Sequence, residues 1–164
     1  LMRSVDTSTV IAGNLAFQQS ATMSGDVGTE TAIAWLESNN SGTTLQSSIV
    51  AQGYAATRQD PAANQNWDAF WTAVLASQSV TLTTDTTTGN TVSYAIQRLC
   101  NAAGDPVSPG VDCAVPQTTG STAGSSKGSG VVALLYNSQI YYRITTRIAG
   151  PRNTVSYVQT IVAL

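Results

Sequence analysis

The strongest constraint on what this chain can fold into is the stretch from Arg3 to Leu36, which contains no proline. Its apolar and small residues (Val5, Ile11, Ala12, Leu15, Ala16, Met23, Val27, Ile33, Ala34 and Leu36) fall on a broad arc when wound at the helical period. Asn39-Asn40-Ser41-Gly42 then supplies a stop. Such a helix is roughly 50 Å long at about 1.5 Å per residue. The remainder of a 164-residue chain is too small to cover it, so one end is expected to project or to pack on something outside the chain. Helix begins almost at Leu1, as expected of a segment whose preceding residues continue it. Gly13, Gly25 and Gly28 interrupt the stretch, each costing about 1 kcal/mol relative to alanine. They read either as tolerated defects or as points of curvature and close approach of neighbouring chains.

After this helix (1–38), the expected single domain has a polar connector over 39–79 and a sheet region over 80–164. Within the connector, Asn66 is a possible cap for a short helix running to Leu75. Trp67, Phe70, Trp71 and Val74 share one face of it, read first as core packing and second as a ligand platform. From Val80 the period becomes two, and Val80–Thr83 and Thr91–Leu99 flank Asp85–Asn90 as a hairpin with Val92, Tyr94 and Ile96 on one side. Near the C-terminus Ile140, Tyr142, Ile144 and Ile148 alternate with Tyr141, Arg143, Thr145 and Arg147. That pattern is expected of a sheet covered on one side only. Gly150-Pro151-Arg152-Asn153 makes a turn, and Thr154–Leu164 returns as a strand. Val131–Tyr136 is a possible further strand, and Gln117–Gly130 a Gly/Ser/Thr-rich tract read as mobile. The fold class expected is α+β, a long helix followed by an antiparallel sheet of about four strands.

Charged residues make up only 10% of the chain, against about 25% in an average globular protein. Ser, Thr and small polar residues fill the surface instead, a composition common in secreted and cell-surface proteins. With a net charge of −2 and no basic run, nucleic acid and anionic membrane are poor partners. The two cysteines, Cys100 and Cys113, flank a turn-rich segment and read as a disulfide, the alternative being two free buried thiols. In an extracytoplasmic chain the disulfide is the better reading, worth roughly 3 kcal/mol in the chain-entropy picture.

The chain has no histidine, which removes Ser-His and Cys-His nucleophile systems and histidine-based metal sites. Its single lysine, Lys127, follows Gly124 at the position where an S-x-x-K motif needs serine, and no phosphate-loop order surrounds it. Asp26 and Glu30, one turn apart, read as a solvated or subunit-facing acidic patch rather than a glycosidase pair. Asp85 lacks the further acidic ligands of a calcium loop. No catalytic residues, cofactor, metal or small-molecule substrate are therefore expected.

Several segments resemble the PilX-type minor pilins of bacterial type IV pili. Arg3-Ser4-Val5-Asp6-Thr7, Ala12-Gly13-Asn14-Leu15-Ala16-Phe17, Asp26-Val27-Gly28-Thr29-Glu30-Thr31-Ala32 and Trp35-Leu36 resemble the start of that family. Tyr141–Ile144 and Gly150–Gln159 resemble its closing hairpin, and Arg98-Leu99-Cys100 with Cys113 also fits. The resemblance implies a pilin fold whose hydrophobic, membrane-anchoring half precedes Leu1. It implies a non-enzymatic subunit that assembles with other minor pilins, the major pilin and a pilus-tip adhesin. Such a subunit affects piliation, adhesion and twitching motility. It would sit at the bacterial inner membrane facing the periplasm, and in the pilus fibre at the cell surface. Arg3, Asp6, Asn14, Phe17, Asp26 and Glu30 are then candidates for subunit contacts. The alternatives are a type II secretion pseudopilin of the same fold, or a glycan-binding adhesive module using the Trp67/Trp71 face.

Overall fold

The computed structural model describes the backbone of residues 2–116 and 139–164, and side chains from residue 9 onward within those ranges. Val131–Tyr136, the Gln117–Gly130 tract and Lys127 lie outside the described residues. Helix α1 runs over Met2–Asn39, 38 residues or about 57 Å at about 1.5 Å per residue. It extends one turn past Leu36, where the last side chains satisfy one of its terminal carbonyls. Ser38 Oγ and Asn39 Nδ2 both donate to the Trp35 carbonyl, at 2.9 and 2.8 Å. Gly42, at φ +76°, then turns the chain away.

The α+β class is as expected, but the sheet is mixed and has five strands. Strands β1 (Tyr54–Ala55), β3 (Thr91–Arg98), β4 (Tyr141–Gly150) and β5 (Thr154–Ala163) lie side by side in that order. Strand β2 (Val80–Thr81) also pairs with β3. The pairing of β1 with β3 is parallel, Tyr54 opposite Ile96; the other pairings are antiparallel. The connector thus contributes a strand that periodicity could not show, because two residues carry no period. Tyr54 is fully buried there, its hydroxyl donating to the Leu45 carbonyl at 2.6 Å. The β4–β5 hairpin closes through Pro151–Asn153, with Arg152 and Asn153 both left-handed at φ 60° and 58°.

Val92, Tyr94 and Ile96 do share one face, and α1 packs on it. The main core joins Ala32 and Leu36 of the helix to Tyr54, Tyr94, Ile96, Tyr142 and Ile144. A smaller cluster joins Phe17 and Ala21 to Val92, Ile148 and Val158. The expectation of a sheet covered on one side only is corrected. Asn66 Oδ1 accepts from the Ala69 amide at 2.8 Å and starts the short helix α2 (Trp67–Phe70), which continues as a π-helical turn over Trp71–Leu75. Phe70, Trp71 and Leu75 pack on Ala95 and Tyr157, across the sheet from α1. The aromatic face is core, with Trp71 only 5% exposed and Trp67 set edge-on to Phe70.

Glycine determines how closely α1 approaches the sheet. A Cβ on Gly28 would fall 2.7 Å from both Thr146 Cγ2 and Val92 Cγ1, and one on Gly25 would fall 2.9 Å from Val158 Cγ2. These glycines admit the chain's own sheet rather than neighbouring chains. Gly13, by contrast, has nothing within 4 Å of that position. Replacing Gly28 by valine is expected to destabilise the fold by about 2 kcal/mol, since the stiff β-branched neighbours cannot yield. Gly13→Ala is expected to stabilise it by up to about 1 kcal/mol. Urea unfolding of the two variants checks both signs.

Candidate functional site

The outward surface of α1 is the most unusual feature of the molecule. From residue 9 to residue 16 every side chain is exposed, so this part of the helix overhangs the sheet. Beyond it, the residues that face the sheet are small: Ala21, Gly25, Gly28, Thr29 and Ala32 are all buried. The large apolar residues point the other way. Val10, Ile11, Leu15, Met23 and Val27 are each between 54% and 67% exposed. The apolar arc read from the sequence therefore belongs mostly to the solvent side, and Leu36 is its one fully buried member among the described residues. Contact at glycine distance leaves no room for leucine or methionine underneath, so size rather than hydropathy sorts the two faces.

The subunit-contact candidates divide accordingly. Arg3 and Asp6 have side chains outside the described residues. Asp26 and Glu30 are exposed, beside Met23 and Val27 on the outward side. Asn14 is exposed where the helix overhangs. Phe17 turns inward and lies half-buried over Gly150, where an added Cβ would run into its ring. A groove of about 460 Å³ opens between the overhang and the hairpin tip, lined by Val10, Gly13, Asn14, Phe17 and Arg152 among others. Asn90 ties its floor to the helix, donating to Ser20 Oγ and Ser24 Oγ at 2.9 and 3.0 Å.

The Cys100–Cys113 disulfide is formed. Around it backbone hydrogen bonds order the loop: Asn101 N donates to the Asp112 carbonyl at 2.9 Å within it, and Gly104 N donates to the Gln46 carbonyl of the connector at 2.8 Å. Beneath it lies Arg98, a residue whose role periodicity did not reveal. Its side chain is 1% exposed and forms no salt bridge among the described residues. Arg98 Nη1 donates to the carbonyls of Gly104 (2.8 Å) and Leu45 (3.3 Å), and Nη2 reaches Cys113 Sγ at 3.7 Å. One cation thereby fastens the disulfide loop and the start of the connector to the end of β3. Burial, and then the neighbouring Tyr142, raise the phenol of Tyr54 against the opposing charge of Arg98.

On the opposite face, Arg143 Nη1 donates to Asp60 Oδ1 at 2.7 Å, and Nε donates to Gln97 Oε1 at 3.0 Å. Arg58 completes the pair on Asp60 at 2.7 Å. Partial burial pushes the Asp60 carboxyl up, but the hydrogen bond and charge of Arg143, with Arg58 behind it, outweigh that and hold it below its ordinary 3.8. Burial, and then its hydrogen bond to Asp68, push the Tyr157 phenol up to about 12. These groups fasten the connector to the sheet, and Arg58 and Asp60 also border a pocket shared with Cys100, Asp112 and Cys113. Comparison with known proteins adds nothing to this geometry: no protein family, no curated protein and no solved structure matches the chain.

Two outcomes follow from the site. Intact mass under non-reducing conditions is expected to show no alkylatable thiol, and reduction to cost roughly 3 kcal/mol of stability in urea. For Asp60, whose folded value is lowered, the stabilisation is present above 3.8 and is lost as the pH falls through the folded value. Asp60→Asn is expected to lower stability at neutral pH and to flatten its acid dependence below about pH 4, measured by urea unfolding at a series of pH values.

Proposed function

We propose that this chain is the soluble part of a PilX-type minor pilin, a non-enzymatic subunit of type IV pili. It assembles with other minor pilins, the major pilin and a tip adhesin. The full protein is held at the inner membrane, facing the periplasm, by a helix that continues α1 toward its N-terminus, and it passes into the fibre at the cell surface. One observation carries this reading: α1 lays a small-residue face on the sheet while its overhang and its large apolar side chains remain open. A helix uncovered in this way suits burial between subunits far better than isolation in water. The Ala12–Phe17 segment, where the sequence resemblance is most specific, lies in and next to that overhang. The Trp67/Trp71 face is already occupied by the chain's own sheet, which weighs against a glycan platform there.

In the full-length protein, Leu15→Asp together with Met23→Asp is expected to remove most surface pili and twitching motility. The purified chain should keep its stability within about 0.5 kcal/mol per site, because both side chains are exposed. Normal piliation and motility in a strain lacking the gene would overturn the reading.

A further inference from the structure

The two edges of the sheet are protected very differently. On one side β3 is covered by β1 and β2, each of two residues, and such short edge strands cannot template further pairing. On the other side β5 runs for ten residues and, among the described residues, pairs only with β4. Thr154–Ala163 contains no charge, no proline and no glycine, which are the usual safeguards of an open edge.

The free groups on this edge can be assigned. Ile140 and Leu164 exchange both backbone hydrogen bonds, at 2.7 and 3.1 Å. By the alternation of an antiparallel ladder, Val162, Thr160, Val158 and Ser156 likewise direct theirs to β4. Val155, Tyr157, Gln159 and Ile161 therefore present N–H and C=O outward. Val155 and Ile161 are the exposed large apolar residues of the strand, at 38% and 60%. Both point to the face away from α1, since Val158, of the opposite parity, meets the helix at Gly25. They stand three residues on either side of Val158.

We propose that β5 is a self-complementary edge that pairs antiparallel with β5 of a second copy about a two-fold axis at Val158. In this register Val155 lies opposite Ile161 of the second copy, and Ile161 opposite its Val155, so each exposed apolar side chain covers the other. Tyr157 lies opposite Gln159 of the second copy in the same way. All of these are hydrogen-bonded pairs, so the outward N–H and C=O groups are satisfied at the same time. No like charges meet anywhere along the strand. The two sheets become continuous, with both α1 helices on one face. This pairing stands independently of the pilin reading.

Sedimentation equilibrium of the chain is expected to show a mass that doubles with rising concentration. Val155→Lys with Ile161→Lys places like charges at both contacts and should weaken the dimer by about tenfold or more. Val155→Lys with Ile161→Glu places opposite charges at the same contacts and should restore most of that loss. On the unmodified chain, amide exchange should slow with concentration at Val155, Tyr157, Gln159 and Ile161, and stay constant at Ser156, Val158 and Thr160. A chain that is monomeric at every concentration overturns the proposal. So does an equal loss in both variants, or a dimer untouched by the paired lysines, which would place the contact on another face.

Discussion

The contact of α1 with the sheet at Gly25 and Gly28 is the constraint on which the other features depend. With Cβ positions that would lie 2.7 to 2.9 Å from Val92, Thr146 and Val158, the helix axis is held closer to the sheet than side chains of ordinary size permit. Small residues must then occupy the inner face from Ala21 to Ala32, between the inward-turned Phe17 and the buried Leu36. The deeper core is displaced toward Leu36, Tyr54, Tyr94 and Tyr142, where aromatic rings fill the space. The large apolar residues of α1 are left outside as a direct result. A helix that packed on leucines would stand further out and leave fewer of them exposed.

Strand β3 is where the layers meet. It pairs with β1, β2 and β4, carries α1 on one face through Tyr94 and Ile96, and carries the aromatic turn on the other through Ala95. Its end is held by two polar residues with different tasks. Gln97 accepts from Arg143 on the outer face, and Arg98 reaches the Gly104 carbonyl and Cys113 on the inner one. A buried guanidinium without a carboxylate is costly, and its carbonyl contacts offset that cost only while loop, connector and strand stay together. Removing Arg98 would therefore loosen three segments at once.

Much of the architecture was legible because the signals were long. A proline-free run, two strongly alternating strands, a Gly-Pro-Arg-Asn turn and a cysteine pair across a turn-rich segment each carry enough residues to be read locally. Strand β1 was not legible, since Tyr54 and Ala55 have no period and their parallel partner lies far along the chain. The burial of the second sheet face was hidden for a related reason: Arg143 and Arg147 look solvent-facing until Gln97 and Tyr157 are seen to hold them. The orientation of α1 was not legible: hydropathy grouped Ile11, Leu15, Met23 and Val27 on one arc without saying which way it faces, and the steric fit at Gly25 and Gly28 turns that arc outward. For the contact candidates, the sequence located Asp26 and Glu30 on the open side but gave no sign that Phe17 folds back over Gly150.

The disulfide also bears on the order in which the chain can fold. Pairing β3 with β4 requires the chain to close a loop from Arg98 to Tyr141, and the Cys100–Cys113 bond, at a sequence separation of 13, bypasses only part of it. Because loop-closure entropy changes by only about 0.6 kcal/mol for each doubling of length, that shortcut accelerates closure very little. The central pairing can therefore form while both thiols are still reduced. The bond thus adds to the stability of a topology that the strand pairings themselves specify, rather than selecting that topology.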